Sequence, residues 1–129
     1  AWENGEWKDV FDIGLVKKDA FPFSAGRLFN PDIHRLNKYG LPVVSSLTVN
    51  EMITSPDRIA AAKEKYTPQI ESMEGAALHY TCLRLKIPYL QLRAISNRAG
   101  DRNKHNWQIE TAINQLNKIL TTIIEQGGK

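Results

Sequence analysis

Cysteine is almost absent from this chain of 129 residues, and long hydrophobic runs are missing altogether. The single Cys82 cannot form an intrachain disulfide, which is typical of proteins from a reducing compartment. It falls within a predicted helix, where a small core residue is the ordinary interpretation. No apolar run approaches the ~18 residues of a membrane span. These shortages predict a cytoplasmic domain with no membrane partner.

Cofactor and metal motifs are also missing. The chain contains neither GxGxxG nor GxxxxGK[ST], so nothing indicates a dinucleotide or phosphate loop. His34, His79 and His105 are scattered, without the spacing of metal ligands. The 17 Lys and Arg residues are dispersed, so the net charge of +3 indicates solubility rather than a nucleic-acid interface. We therefore expect no metal, no cofactor and no nucleic-acid partner.

Strand and helix signals alternate through residues 40–129, whereas residues 1–39 have few. The predicted strands are residues 43–49, 69–73 and 87–96. The predicted helices are residues 54–66, with Ser55 as cap and Pro68 as stop, residues 74–86, and a last helix with apolar residues every three or four positions from Ile109 to Ile124, ended by Gly127 and Gly128. This order predicts one α/β domain with parallel neighbours joined by right-handed crossovers.

The first 39 residues predict a long ordered loop, either functional or simply covering the core. The polar and aromatic opening “WENGEWKDVF” has the composition of the middle of a loop and indicates a piece of a longer protein.

Polar side chains follow the ends of the predicted strands, where open α/β sheets bind their ligands. The three junctions are residues 48–52, 73–74 and 93–97. Each has an ordinary structural explanation as well, because an acid such as Glu74 complements a helix dipole and asparagine is a common turn residue. Arg93 lies on a mostly apolar strand, and a buried guanidinium would need Glu74 or another acid as its partner.

The segments “MEGAA” (residues 73–77) and “RAISN” (residues 93–97) together resemble the nucleoside phosphorylase superfamily, which includes methylthioadenosine/adenosylhomocysteine nucleosidases. Within it, “RAISNRAGDRNKHNW”, “ENGEWKDVFDIGL” and “LTVN” look like the futalosine hydrolase family. The resemblance covers nearly the whole chain but only the C-terminal portion of the family domain. It implies a three-layer α/β/α fold with a mixed central sheet, whose N-terminal strands and water-activating glutamate lie outside these residues.

The resemblance also implies a reaction: hydrolysis of the N-glycosidic bond of a 6-oxopurine nucleoside, namely futalosine in menaquinone biosynthesis. The catalytic residues would be Glu74, beneath an oxocarbenium-like ribose, and Asn97, at the edge of the purine. The other implied substrate contacts are Val49, Asn50, Met52 and Met73, and Arg93 and Ser96 would support the turn that carries Asn97. Residues 1–39 would contribute to an interface, since a homodimer or higher homo-oligomer is implied.

Asn97 stands where adenine-specific members of the superfamily have aspartate. An aspartic acid can protonate purine N7, whereas an amide can only form hydrogen bonds, and the amide therefore favours hypoxanthine as the leaving base. The alternatives are a methylthioadenosine/adenosylhomocysteine nucleosidase, a purine nucleoside phosphorylase, and an inactive fragment or nucleoside-binding module. We expect these 129 residues to be inactive on their own.

Overall fold

The computed structural model describes residues 1–127. Its elements are strands β1 (Trp2–Glu3) and β2 (Glu6–Trp7), helix α1 (Ile33–Leu36), strand β3 (Ser46–Thr48), helix α2 (Pro56–Tyr66), strand β4 (Ile70–Ser72), helix α3 (Gly75–Leu85), a 3-10 turn (Lys104–Asn106) and helix α4 (Ile109–Gly127). The predicted helices are confirmed to within a few residues. Gly128, predicted to help end the last helix, lies outside the described residues.

A parallel strand pair lies at the centre of the site-bearing region. β3 and β4 pair in parallel, with Ser46 opposite Ile70 and Thr48 opposite Ser72. Parallel neighbours need a crossover connection, and α2 supplies it. The α/β class predicted from the alternation of elements is therefore confirmed, although each strand is only three residues long.

The predicted strand over residues 87–96 is not formed. These residues contain no helix or strand, and within the described part of the chain residues 90–95 make no backbone hydrogen bond. The prediction was wrong because apolar and β-branched composition shows that a segment suits a sheet, whereas a strand also needs a neighbour to bond with. No described strand lies beside this segment in register.

The opening residues form a hairpin instead of the predicted loop. β1 and β2 pair antiparallel, with Trp2 opposite Trp7. The two turn residues between them, Asn4 and Gly5, both have positive φ, at 51° and 80°. Asn-Gly is the preferred pair for such a two-residue turn, so the sequence “WENGEW” did contain the signal for this hairpin.

The core lies between this hairpin, the loop after β3 and α2. Its buried side chains are Trp7, Val49, Ile53 and Ala62. The Trp7 indole donates a hydrogen bond to the Arg58 carbonyl oxygen at 2.8 Å, and the Arg58 guanidinium lies 4.8 Å from the Trp7 ring centroid. Aromatic stacking and a satisfied indole N–H together attach the hairpin to the first turns of α2.

Residues 8–32 form successive turns that pack on α2 and α3. Lys65 of α2 donates to the Trp7 carbonyl oxygen at 2.6 Å and forms an ion pair with Asp12. The ring of Phe23 lies 5.1 Å from that of Phe11 and 5.8 Å from that of Tyr80 on α3. These contacts fix the segment, although they do not test its predicted role at an interface.

Large apolar side chains remain exposed over much of the surface. On α4 the exposed fractions are 53% for Ile113 and 72% for Ile124, and of the described residues of this helix only Ala112 is buried. Within residues 1–127 no helix combines the length and apolar character of a membrane span. The predicted apolar stripe of α4 is therefore present, and half of its eight residues, Ile109, Ile113, Leu120 and Ile124, are exposed.

Candidate functional site

Hydrogen bonds bring the ends of β3 and β4 to the start of α3. The Ala76 N–H donates to Thr48 Oγ1 at 2.8 Å, and the Gly75 N–H donates to Ser72 Oγ at 3.3 Å. The Val49 N–H donates to the Ser72 carbonyl oxygen at 2.9 Å, which extends the parallel pairing beyond β3. The first and second predicted junctions are thus direct neighbours.

Gly75 allows the third junction to approach the same point. A Cβ atom on this residue would lie 2.6 Å from Ser72 Oγ and 3.3 Å from an Nη atom of Arg93, which is too close to Ser72 for any other residue type. The Gln91 amide also donates to the Gly75 carbonyl oxygen, at 3.4 Å. Residues 91–93 therefore lie against the turn that carries Met73 and Glu74.

The segment after Asn97 returns toward the first junction. A Cβ atom on Gly100 would lie 2.8 Å from Ile59 Cδ1 and 3.8 Å from the Thr54 carbonyl oxygen. The residue also has a φ of +89°, and this backbone conformation favours glycine. The structure therefore places residues 91–93 beside the start of α3 and Gly100 beside the segment that leads into α2.

Glu74 occupies the cap position of α3 but does not cap the helix. Its φ and ψ are −121° and −8°, and its side chain makes no capping hydrogen bond. The side chain is exposed, and within the described residues it takes part in no ion pair. Ser72 and Thr48, rather than Glu74, accept from the first helical amides. Met73, the adjacent predicted sugar contact, is 49% exposed.

Asn97 is held by its own turn with part of its hydrogen-bonding capacity unused. Ser96 Oγ donates to Asn97 Oδ1 at 2.7 Å, and Asn97 Nδ2 donates to the Arg98 carbonyl oxygen at 3.1 Å. One N–H and one lone pair of the amide remain. The partly exposed side chain can therefore offer a donor and an acceptor side by side. Ser96 sits where its predicted supporting role would place it.

The loop after β3 contains three predicted substrate contacts, of which one lies in the core and two lie on the surface. Val49 is 7% exposed and packs with Ile53 in the core, so its side chain supports the loop from below. Asn50 and Met52 are exposed, and their contact with a substrate stays a prediction. Burial raises the pKa of Glu71 on β4, and a hydrogen bond from the Ile53 backbone partly opposes this rise. No motif in the sequence predicted this partly buried carboxyl group.

Arg93 does not have the acidic partner that was predicted for it. Its Nε donates to Gln91 Oε1 at 3.1 Å, and within residues 1–127 it forms no ion pair. The prediction assumed a buried guanidinium, but Arg93 is exposed and water can solvate its charge. Its closeness to Gly75 still places it beside the start of α3.

A separate apolar groove of about 540 Å³ lies at the other end of the strands. It reaches Ser46 and Ile70, the first residues of β3 and β4, and its walls are residues 41–44, residues 90–95 and part of α4. Among the predicted site residues only Arg93 lines it. Arg93 thus lies both on this groove and beside the start of α3, whereas Glu74 and Asn97 do not line the groove. Among residues 1–127, no three His, Cys, Asp or Glu side chains are grouped as metal ligands.

His79 on α3 also lines the groove and is expected to make folding sensitive to pH. Its Nδ1 lies 2.7 Å from the Tyr89 hydroxyl, and burial, with a smaller effect of the Arg93 charge, lowers its pKa. As the pH falls below about 6.5, His79 therefore takes up a proton in the unfolded chain before it does so in the folded protein. The free energy of unfolding should decrease as a result. Urea unfolding at pH 7.5 and 5.5 measures this. His79→Gln should reduce the pH dependence of the unfolding free energy, whereas His105→Gln, at an exposed position, should not. An identical pH dependence in both variants would contradict the assignment of this effect to His79.

The family match covers the region of the chain that contains the candidate site. Residues 33–125 match the phosphorylase superfamily, and the chain belongs to that superfamily. Over 90 residues it is 34% identical to the futalosine hydrolase of Thermus thermophilus, a stretch that covers 69% of this chain and 40% of that protein. The futalosine hydrolase of Acidothermus cellulolyticus is 31% identical over 77 residues, covering 58% of this chain and 32% of that protein.

A nucleosidase of different specificity is also similar. The 5'-methylthioadenosine/S-adenosylhomocysteine nucleosidase of Colwellia psychrerythraea is 31% identical over 86 residues, covering 64% of this chain and 35% of that protein. The chain thus spans two fifths or less of the length of each of these three relatives. No solved structure gives a significant match. The resemblance to the superfamily and to futalosine hydrolases is confirmed.

Proposed function

We propose that these residues are the C-terminal portion of a nucleosidase that hydrolyses the N-glycosidic bond of a 6-oxopurine nucleoside. The best-supported substrate is futalosine, cleaved to dehypoxanthine futalosine and hypoxanthine in menaquinone biosynthesis. The observation that carries the proposal is that the Glu74 side chain makes no capping hydrogen bond, at a turn against which residues 91–93 lie. Two futalosine hydrolases among the similar proteins support the choice of substrate.

The proposed chemistry separates two charges. As the bond between the anomeric carbon and N9 breaks, its electron pair stays with the purine and the ribose becomes oxocarbenium-like. The carboxylate of Glu74 accepts hydrogen bonds from the ribose hydroxyls and stabilises the positive ring. A water molecule adds its oxygen to the anomeric carbon and loses one proton, which the departing hypoxanthine anion finally takes up. The group that activates this water belongs to the part of the superfamily domain outside these residues.

Asn97 supplies the complementary contact at the base. Its remaining N–H suits N7 or O6 of hypoxanthine, and its remaining lone pair suits N1–H or a bridging water. Neither contact transfers a proton, since an amide is not an acid at neutral pH. The residue therefore orients the base and stabilises its developing negative charge. Asn50, Met52 and Met73 complete the proposed substrate contacts.

A second candidate is a nucleosidase for methylthioadenosine or adenosylhomocysteine, which the similarity to the Colwellia protein favours. The superfamily also includes phosphorolysis, as its description indicates. An inactive fragment or a nucleoside-binding module is the third candidate, in view of the share of the relatives that the chain spans. A cytoplasmic homodimer or higher homo-oligomer belongs to the lead proposal, and the many exposed apolar side chains support an oligomer.

Product analysis with the complete enzyme tests the proposal. By complete enzyme we mean these 129 residues joined to the rest of the superfamily domain. Futalosine, inosine and methylthioadenosine are supplied side by side, with and without phosphate, and the released base is quantified by chromatography. We expect fastest release of hypoxanthine from futalosine, independent of phosphate. Faster cleavage of methylthioadenosine would support the second candidate, and dependence on phosphate would indicate a phosphorylase.

The 129-residue chain alone is expected to be inactive and to self-associate. Its apolar groove is exposed, and residues 90–95 make no backbone hydrogen bond within the described residues. A complete domain would cover both surfaces. Light scattering after size-exclusion chromatography measures the association, and the hypoxanthine assay measures the activity. A stable, monodisperse monomer with robust turnover would contradict the assignment of these residues as a portion of the domain.

A further inference from the structure

Three hydroxyl side chains lie on one face of the β3–β4 pair, and two of them, Thr48 and Ser72, contact the start of α3. Ser46 and Thr48 alternate along β3, and Ser72 of β4 stands opposite Thr48 in the register. Ser46 Oγ and Ser72 Oγ are 3.5 Å apart, and Ser72 is buried at 7% exposure. Burying a hydroxyl group is unfavourable unless it is hydrogen-bonded. The bond to the Gly75 amide therefore stabilises the buried Ser72 hydroxyl as well as the start of the helix.

The hydroxyl groups of Thr48 and Ser72 accept hydrogen bonds that the side chain at a helix's own cap position usually accepts. The first amides of a helix lack intrahelical acceptors, and the side chain at the cap position commonly supplies one. In α3 that residue is Glu74, whose side chain makes no such bond. Thr48 Oγ1 accepts from Ala76 N–H at 2.8 Å, and Ser72 Oγ accepts from Gly75 N–H at 3.3 Å.

We infer that Thr48 is a positioning residue for Glu74. Its hydroxyl group fixes the first turn of α3 from the neighbouring strand, so the Glu74 backbone is held while its carboxylate is left for the substrate. The shorter of the two bonds belongs to Thr48, and Ser72 supports it from β4. This inference rests on the proposed function, because it deepens the role given there to Glu74.

A pair of substitutions in the complete enzyme separates the hydroxyl group from the volume of the side chain. Thr48→Val keeps the shape and removes the acceptor, whereas Thr48→Ser keeps the acceptor. We expect Thr48→Val to lower kcat about tenfold with little change in KM, and Thr48→Ser to retain most of the activity. In the Glu74→Gln background, Thr48→Val should have almost no further effect on kcat, because residues that act through one another are not additive.

Equal losses of kcat from Thr48→Val in both backgrounds would overturn the inference, since Thr48 would then act independently of Glu74. Equal losses in the Val and Ser variants would overturn it too. If the complete enzyme cleaves no nucleoside at all, the proposed function fails. Amide hydrogen exchange then tests separately whether Thr48 holds the first turn of α3. Exchange at Ala76 should then be about tenfold faster in Thr48→Val than in Thr48→Ser, with α4 unchanged. Unchanged exchange at Ala76 would refute the role, and Ser72→Ala provides the same readout at Gly75 should the Val variant not fold.

Discussion

Glu74→Gln in the complete enzyme is expected to lower kcat by about 10²- to 10³-fold while KM changes little. The substitution keeps the size and the hydrogen-bonding reach of the side chain but removes the negative charge. That charge matters most when the ribose is positive, which is in the transition state rather than in the bound substrate. Steady-state kinetics with futalosine, the proposed substrate, measures both constants.

Glu110→Gln is the matched control for this experiment. Glu110 is also an exposed acid at the start of a helix, in the first turn of α4 rather than at the cap position, so it too interacts with a helix dipole. Loss of that interaction alone costs only about 0.3–1 kcal/mol of stability and leaves kcat unaffected. If both variants behave alike, Glu74 merely complements its helix, and its catalytic role is excluded.

Asn97→Asp is expected to change which purine the complete enzyme prefers. An ionised aspartate cannot donate to N7 or O6 of hypoxanthine, and it repels the negative charge that develops on the base. The preference in kcat/KM for futalosine over methylthioadenosine should fall on the order of a hundredfold, which corresponds to one charged hydrogen bond gained or lost. Competition between the two nucleosides in one reaction gives this ratio directly.

Asn117→Asp serves as the control for the added charge, because Asn117 lies exposed on α4. It should leave the preference unchanged. The protonated form of residue 97 in the variant can donate, so its activity with futalosine should recover as the pH is lowered. A variant whose preference equals that of the wild type at every pH would remove Asn97 from the base contact.

The helices were predictable because each carries its own signals. The apolar period of α4 predicts its extent from Ile109 onward, and Pro56 correctly marks the first residue of α2. The details of capping were less predictable. Ser55 does occupy the cap position of α2, but its side chain makes no capping hydrogen bond. A cap depends on a side-chain rotamer as well as on sequence position, and the sequence does not specify the rotamer.

Strands depend on partners, so they were predicted less well. β3 and β4 pair with each other and are present, but shorter than predicted. Residues 87–96 have the composition of a central strand and form none, since none of the described strands pairs with them. The hairpin of β1 and β2 is the opposite case, because a local Asn4-Gly5 turn was enough to form it.

The candidate site shows the same division between local and distant information. Motif spacing predicted that Glu74 and Asn97 share one site, and this stays a prediction, whereas the contact of residues 91–93 with the start of α3 is observed. Motif spacing did not predict the support that Thr48 gives to α3, since its hydroxyl and the Ala76 amide are separated by 28 residues. It also missed the local bond between Ser72 and Gly75, which are three residues apart. Nor did it predict that Arg93 would bond to Gln91, because its exposure depends on packing around it.

The side chain of Arg58 has a consequence for the amino-terminal end of the chain. It forms an ion pair with Glu51, which lies between the proposed substrate contacts Asn50 and Met52, and it stacks on Trp7 of the hairpin. Deleting the first seven residues would remove the Trp7 ring on which the guanidinium stacks, and we expect the ion pair between Arg58 and Glu51 to weaken. The hairpin thus supports the loop after β3 through Arg58, and trimming or fusing this end should shift that loop.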